Sequence, residues 1–318
     1  MYASQPLPPF VPPPASSRPV HVMTIDVEDY FHVNAFAQVV SRAEWSTMES
    51  RVVRNTERLL DLFARYHARG TFFVLGWVAE RHPDLVARIA RAGHEVASHS
   101  YWHRLVYDLT PDEFRDDLRR ARDVIEAAAG VRVRGFRAPS WSIVERSLWA
   151  LDVLAEEGYD YDASIFPIHH DVYGIPHAPR HPHVIHRART SLVELPGCTG
   201  SVGSARVPIG GGYFRLMPYA VTSWAIRRYA AAERQPAIFY LHPWEIDPDQ
   251  PALPGPLRSR LRHYNQLGRT ESRLRRLLED FSWDSVANTL LADRVIPART
   301  MARPLDAPVP EGAAPVAP

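Results

Sequence analysis

The chain has 318 residues, 46% of them hydrophobic, enough to bury a substantial core in one large or two small domains. Lys plus Arg (37) nearly balances Asp plus Glu (36), so no net field draws the chain to nucleic acid or to an anionic membrane. Cys198 is the single cysteine, which excludes an intramolecular disulfide and a thiolate metal cluster.

Met1 to Pro19 is proline-rich, with no basic region ahead of an apolar block and no run long enough to span a bilayer. It is expected to be a solvated tail, as is the Pro/Ala-rich end of the chain, and the cytoplasm is the default location. Val20 to Ile25 predicts a first strand. Val52 to Tyr66 has helical spacing of its apolar residues and stops before Gly70, and Thr71 to Leu75 predicts a second strand. Pro83 to Ala92 predicts a helix closed by Gly93, and His94 to Ser98 a third strand. Thr110, Pro111 and Glu113 form a helix start, with a hydroxyl cap and proline in the first turn, and that helix should run to about Gly130. The alternation continues with Gly135 to Ala138 as strand, Val144 to Glu157 as helix, Tyr159 to Ser164 as strand and Ala237 to Leu241 as strand. Pro167 to Arg189 breaks this rhythm. Its histidines among prolines predict an irregular loop, and a spacing such as His181-Pro182-His183 fits no compact ligand set. Arg269 to Arg276 should be a solvated helix face.

Strands alternating with helices imply parallel strands joined by helical crossovers. Asp26, His99, Arg137, Asp162 and His242 each stand at or just past the carboxyl end of an apolar run, which in an α/β barrel is the face where active sites are built. His99 and His103 lie four residues apart, and Asp26-Val27-Glu28-Asp29 concentrates carboxylates that would repel in a partly buried site unless a cation sat among them. Two imidazoles and a carboxylate oxygen suit zinc or a similar divalent metal. Asp26 is the candidate general base, and Glu28 or Asp29 the metal carboxylate. Arg137, followed by Pro139, can pair with the base and orient it; a backbone N–H near Ser140 can stabilise an oxyanion. His242 between Leu241 and Pro243 can protonate a leaving amine. Trp141 and Trp244 are candidate platforms for a sugar ring.

These residues, in this order, resemble the polysaccharide deacetylase family with its NodB homology domain. The resemblance rests on Thr24 to Asp29, His99 to His103, Arg137 to Pro139, Tyr161 to Ser164 and Leu241-His242. Tyr173 to Pro176, Gly211 to Arg215, His242 to Pro248 and His263 to Leu267 are similar to the subfamily found with exosortase and exopolysaccharide loci. The family implies a distorted (β/α) barrel over residues 20–295, with a subfamily-specific half from about residue 165. It also implies a divalent metal, usually zinc, and removal of N-acetyl groups from amino sugars of a glycan that can be membrane-associated. Association with the exopolysaccharide machinery follows from the subfamily. By the same resemblance, Pro139, Ser140, Trp141, Asp162, Leu241 and Trp244 are expected at the substrate. Most members carry adjacent aspartates where this chain has Asp26-Val27-Glu28-Asp29. Period-two alternation favours Glu28 as the metal carboxylate, and a turn after Asp26 would favour Asp29. The rival readings are a glycoside hydrolase using Asp26 and Glu245, a metal-free amidohydrolase acting on a small cyclic amide, and an inactive glycan-binding protein.

Overall fold

The computed structural model describes residues 3–6, 19–186, 191–202 and 205–291. Its strands, in chain order, are β1 (Ala3–Pro6), β2 (Val20–Val27), β3 (Thr71–Val74), β4 (Glu95–Ser98), β5 (Gly135–Phe136) and β6 (Tyr161–Asp162). They continue with β7 (His183–His186), β8 (Ser191–Glu194), β9 (Thr199–Val202), β10 (Ala205–Pro208), β11 (Ile238–Leu241) and β12 (Ser282–Asp284). The helices are α1 (Val52–Arg65), α2 (Gly76–Arg81), α3 (Pro83–Arg91), α4 (Pro111–Ala129), α5 (Ala150–Glu156), α6 (Gly211–Leu216), α7 (Tyr219–Glu233), α8 (Leu257–Tyr264) and α9 (Leu267–Asp280).

Strands β8, β6, β5, β4, β3, β2 and β11 run parallel in that spatial order, wound as a distorted (β/α) barrel. β2 is almost wholly buried, as expected of a strand covered on both faces. It has partners from both ends of the chain: β3 along Thr24–Val27, β11 along Val22–Ile25 and β12 along Val20–Val22. Around the sheet, α4 packs on β4, α2 and α3. Its ends are those the residues predict. Thr110 and Glu113 close a reciprocal capping box, Pro111 opens the first turn, and Gly130 ends the helix at φ 68°, where a side chain would be strained.

Three expectations are corrected. Ala3–Pro6, within the presumed tail, pairs antiparallel with β7, giving its backbone groups partners along a sheet edge; residues 7–18 and the C-terminal stretch from 292 lie outside the described residues. The stretch taken as wholly irregular contains β7, which pairs antiparallel with β8. On α9, Arg273 is not merely solvated, because its guanidinium donates to the carbonyls of Phe214, Arg215 and Met217 at the end of α6. Cys198 is buried, and burial pushes its thiol up to about 12. No helix among the described residues is long and apolar enough to cross a membrane.

Candidate active site

The carboxyl ends of β2, β4, β5 and β11 bring Asp26, Glu28, His99, His103, Arg137 and His242 together in a nearly buried cluster. Glu28, His99 and His103 each offer a ligand atom within 4.8 Å of the others, the sole such group among the described residues. His103 Nε2 lies 2.7 Å from Glu28 Oε2. His99 Nδ1 is 2.8 Å from the Arg137 carbonyl, which fixes the ring proton there and leaves Nε2 for a ligand. Burial pushes His99 down to about 4, so it is neutral at pH 7. Burial alone would raise Glu28, but the neighbouring imidazoles of His103, His242 and His99 hold its carboxyl well below the ordinary range. One carboxylate oxygen and two imidazole nitrogens are the donor set of a catalytic divalent site with a position left open.

Asp29 is turned away from this centre. Its oxygens accept from Ser50 Oγ at 2.6 Å and from the Arg51 N–H at 2.9 Å, so it secures the start of α1, and burial pushes it up to about 6. The alternation along β2, carried one residue past its end, puts Glu28 on the side of Asp26.

Arg137 donates to Asp26 Oδ1 at 2.8 Å and to Thr24 Oγ1 at 2.9 Å, and its guanidinium lies 4.2 Å over the Phe73 ring. His242 Nε2 stands 3.7 Å from both Asp26 Oδ2 and Glu28 Oε1. On its far side, Nδ1 is 2.7 Å from Glu245 Oε1. Burial opposes a charged His242, but the Glu245 hydrogen bond and the charges of Glu28, Glu245 and Asp26 outweigh it and raise the imidazole to about 9. Glu245 is fully buried and held in turn by Arg215 Nε at 2.6 Å. Arg215 is anchored by the carbonyls of Arg262, His263 and Asn265. A Glu245 so engaged cannot be the second carboxylate of a glycoside hydrolase facing a sugar.

The expected substrate residues divide. Ser140 is half-exposed in a left-handed conformation, φ 51°, beside the site. Pro139, Trp141 and Leu241 are buried, and Trp141 packs on Phe166 and Tyr240 rather than offering an open face. Trp244 is also no platform. It stacks between His242 and His263 and donates from Nε1 to Glu28 Oε1 at 3.2 Å. Asp162 is fully buried, accepts from Ser164 Oγ at 2.5 Å, and is the register partner of Glu194 on β8. Burial pushes Asp162 up to about 6; burial and the Asp162 charge push Glu194 well above its ordinary range, so the two do not ionise together.

Sequence reasoning passed over Glu245's tie to His242, Arg215, Glu194 and Asp117. Asp117, in the charged run of α4, accepts the N–H groups of Tyr101 at 2.7 Å and Trp102 at 3.1 Å. It thereby holds the turn that carries His103, a residue at φ 52°. The spacing His242-x-x-Glu245, which lets a side chain reach back to the start of its own turn, is a readable signal, and Arg215 ends the Gly211 to Arg215 signature without a role attached; nothing local marks Glu194 or Asp117.

The distorted (β/α) barrel thus gathers, at one end of its strands, two histidines and a carboxylate that could hold a divalent metal, with a separately held aspartate beside them. Residues 42–161 match the model of the polysaccharide deacetylase family, and residues 163–291 match a domain of unknown function, DUF3473. Among curated proteins, the chain is 33% identical to a peptidoglycan-N-acetylglucosamine deacetylase of Bacillus cereus over 98 residues, 30% of this chain and 36% of that protein. It is also 33% identical to a chitooligosaccharide deacetylase of Bradyrhizobium over 101 residues, 31% of this chain and 43% of that protein. The chain thus spans less than half the length of these relatives. The crystal structure of a putative polysaccharide deacetylase from Mycobacterium smegmatis shares the fold, with a TM-score of 0.55 and 22% identity over 89% of this chain and 93% of that one.

Proposed function

We propose that the chain is a metal-dependent hydrolase that removes N-acetyl groups from amino sugars of a polysaccharide or its oligosaccharide precursor. The observation that supports this reading is that His242 Nε2 lies 3.7 Å from both Asp26 Oδ2 and Glu28 Oε1, beside the Glu28, His99 and His103 group. A divalent cation there, zinc by the nature of its donors, would polarise the acetamido carbonyl and lower the pKa of the attacking water. Asp26, aimed by Arg137, takes the proton of that water as its oxygen bonds to the carbonyl carbon. The backbone N–H near Ser140 steadies the oxyanion. His242 gives its Nε2 proton to the amide nitrogen as the C–N bond breaks, releasing acetate and a free amine. Glu245 holds the opposite ring nitrogen, so the imidazole is aimed and its charged form favoured.

His242, Glu245 and Arg215 all lie within residues 163–291, and we read that module as the second half of one catalytic unit. The subfamily signatures in the same stretch support a role in exopolysaccharide biosynthesis. The test is acetate release from a panel of N-acetylated oligosaccharides, with chelator and with added zinc. Release that chelator abolishes and zinc restores is the expected result. No release from protein carrying one metal per chain would overturn the reading.

A further inference from the structure

The near balance of charge over the whole chain hides a local excess. Helix α8 carries Arg258, Arg260 and Arg262 and no acidic residue. On the same helix stand Leu257 and Leu261, which at 70% and 64% exposure are the most exposed large apolar side chains among the described residues. Two leucines held in water one turn apart forgo the gain of burial, and such a pair beside clustered cations marks a surface suited to a partner.

The helix does not need these leucines to stay in place. Its inner side is fixed by His263, which is buried, stacks on Trp244 with ring centroids 4.2 Å apart and pairs with Gln250 Oε1 at 2.7 Å. Arg215 donates to the carbonyls of Arg262, His263 and Asn265, and Tyr264 Oη accepts the Leu253 N–H at 2.7 Å. With about 3.6 residues per turn, Leu257 and Leu261 face away from His263, with Arg258 and Arg262 along one side of them and Arg260 along the other. Asp171, on the loop beside α8, lies 3.5 Å from Arg258 and 3.9 Å from Arg262. Those two arginines still keep 74% and 53% of their side-chain surface exposed, and one carboxylate against three guanidiniums leaves the rim positive. Val172, next to Asp171, is exposed as well.

Apolar side chains inside a rim of arginines complement a lipid surface with anionic head groups, where guanidiniums meet phosphates and leucines enter the boundary with the acyl chains. Other occupants fit less well. A second copy of the chain, docked through the same face about a twofold axis, would set the arginines against one another. A nucleic-acid backbone would use the arginines and leave the leucines in water.

We propose that α8 is a membrane-docking face that seats the protein on an anionic lipid surface. Its inner side reaches His242 through the stacked rings of His263 and Trp244, so docking holds the flank of the candidate site against the lipid. Docking needs no catalysis and stands or falls apart from the deacetylase reading.

The experiment sediments the full chain with vesicles of phosphatidylcholine alone and of phosphatidylcholine mixed with phosphatidylglycerol. Two double variants are run beside it, Leu257→Ser with Leu261→Ser and Arg258→Ala with Arg260→Ala. All four side chains are exposed, so the melting temperature of each variant should match that of the wild type. The wild type should bind the mixed vesicles, leave the neutral ones, and be released by high salt. Removing two arginines should weaken binding about 25-fold, roughly fivefold for each. Removing the two leucines should weaken it about tenfold or more. Docking through α8 stands only if both variants bind more weakly. No binding to the mixed vesicles, or binding that either variant retains in full, would overturn it; retention in the leucine variant would mean diffuse charge attraction alone. Self-association that the leucine variant abolishes, without vesicle binding, would give the face to a second copy and overturn it too.

Discussion

The indole of Trp244 donates to Glu28 Oε1 across 216 residues of sequence, so the turn that follows His242 also holds the carboxylate of the proposed metal centre. The two neighbours of that indole in the turn, His242 and Glu245, are joined to each other. One short turn therefore touches both the proposed metal ligands and the proposed acid.

The first prediction separates the two carboxylates that the sequence leaves open. Glu28→Ala should lose metal, measured as zinc per chain after dialysis, and lose acetate release by several orders of magnitude. Asp29→Asn should retain metal, because Asp29 spends its oxygens on Ser50 and Arg51, and should instead lower the melting temperature. Metal loss in Asp29→Asn with full occupancy in Glu28→Ala would reverse the assignment.

A second concerns the leaving group. Glu245→Gln should depress hydrolysis of N-acetyl sugars by about 10²–10⁴-fold, the range of general acid catalysis, while hydrolysis of 4-nitrophenyl acetate falls far less. The nitrophenolate departs without a proton, so it reads Asp26 and the metal but not His242. A parallel loss on both substrates would mean that Glu245 merely supports the fold.

The turn carrying His103 supplies a third. Asp117→Ala leaves the N–H groups of Tyr101 and Trp102 without their acceptor and should destabilise the protein by about 2–4 kcal/mol in denaturant unfolding. Zinc affinity should drop with it, because the left-handed residue His103 loses its support. Unaltered zinc affinity would show that the turn holds its shape without Asp117.

The buried carboxyl pair makes stability depend on pH. Asp162 and Glu194 are both raised in the folded state, so the native protein retains protons that the unfolded chain releases. Their contribution is fully present below the unfolded carboxylate values of about 4, and it is lost as pH climbs through about 6, the Asp162 value, and beyond. Glu194→Gln, which removes one of the two titrating groups, should flatten the fall in melting temperature over this window. A wild-type melting temperature that rises between pH 4.5 and 7 in step with that of the variant would refute the pair's role.

How much of this was legible depended on distance along the chain. Asp26, His99, Arg137 and His242 could be placed because each follows an apolar run, and a strand end is a local property. Glu28 could not be separated from Asp29 locally, since the deciding partners of Asp29 lie more than twenty residues on. Asp117 sits among charged neighbours on an amphipathic helix, where an aspartate reads as surface. Glu194 ends a short strand that no motif announces, and its importance comes from facing Asp162 across a ladder. Trp141 and Trp244 were misjudged for a related reason: a tryptophan beside a catalytic motif reads as a platform, and only packing reveals it as a wall.

The pairing of β2 sets a timetable for synthesis. Its eight residues leave the ribosome among the first of the barrel, yet two of their three neighbours, β11 and β12, emerge only after more than two hundred further residues. Until then the strand bearing Asp26 has an open hydrogen-bonding edge, and Glu28 lacks the indole that holds it. A nascent chain stalled before Ile238 would carry His99 and His103 and still lack His242 and the indole that holds Glu28, so under the proposed function cellular activity should track completed chains rather than translated mass.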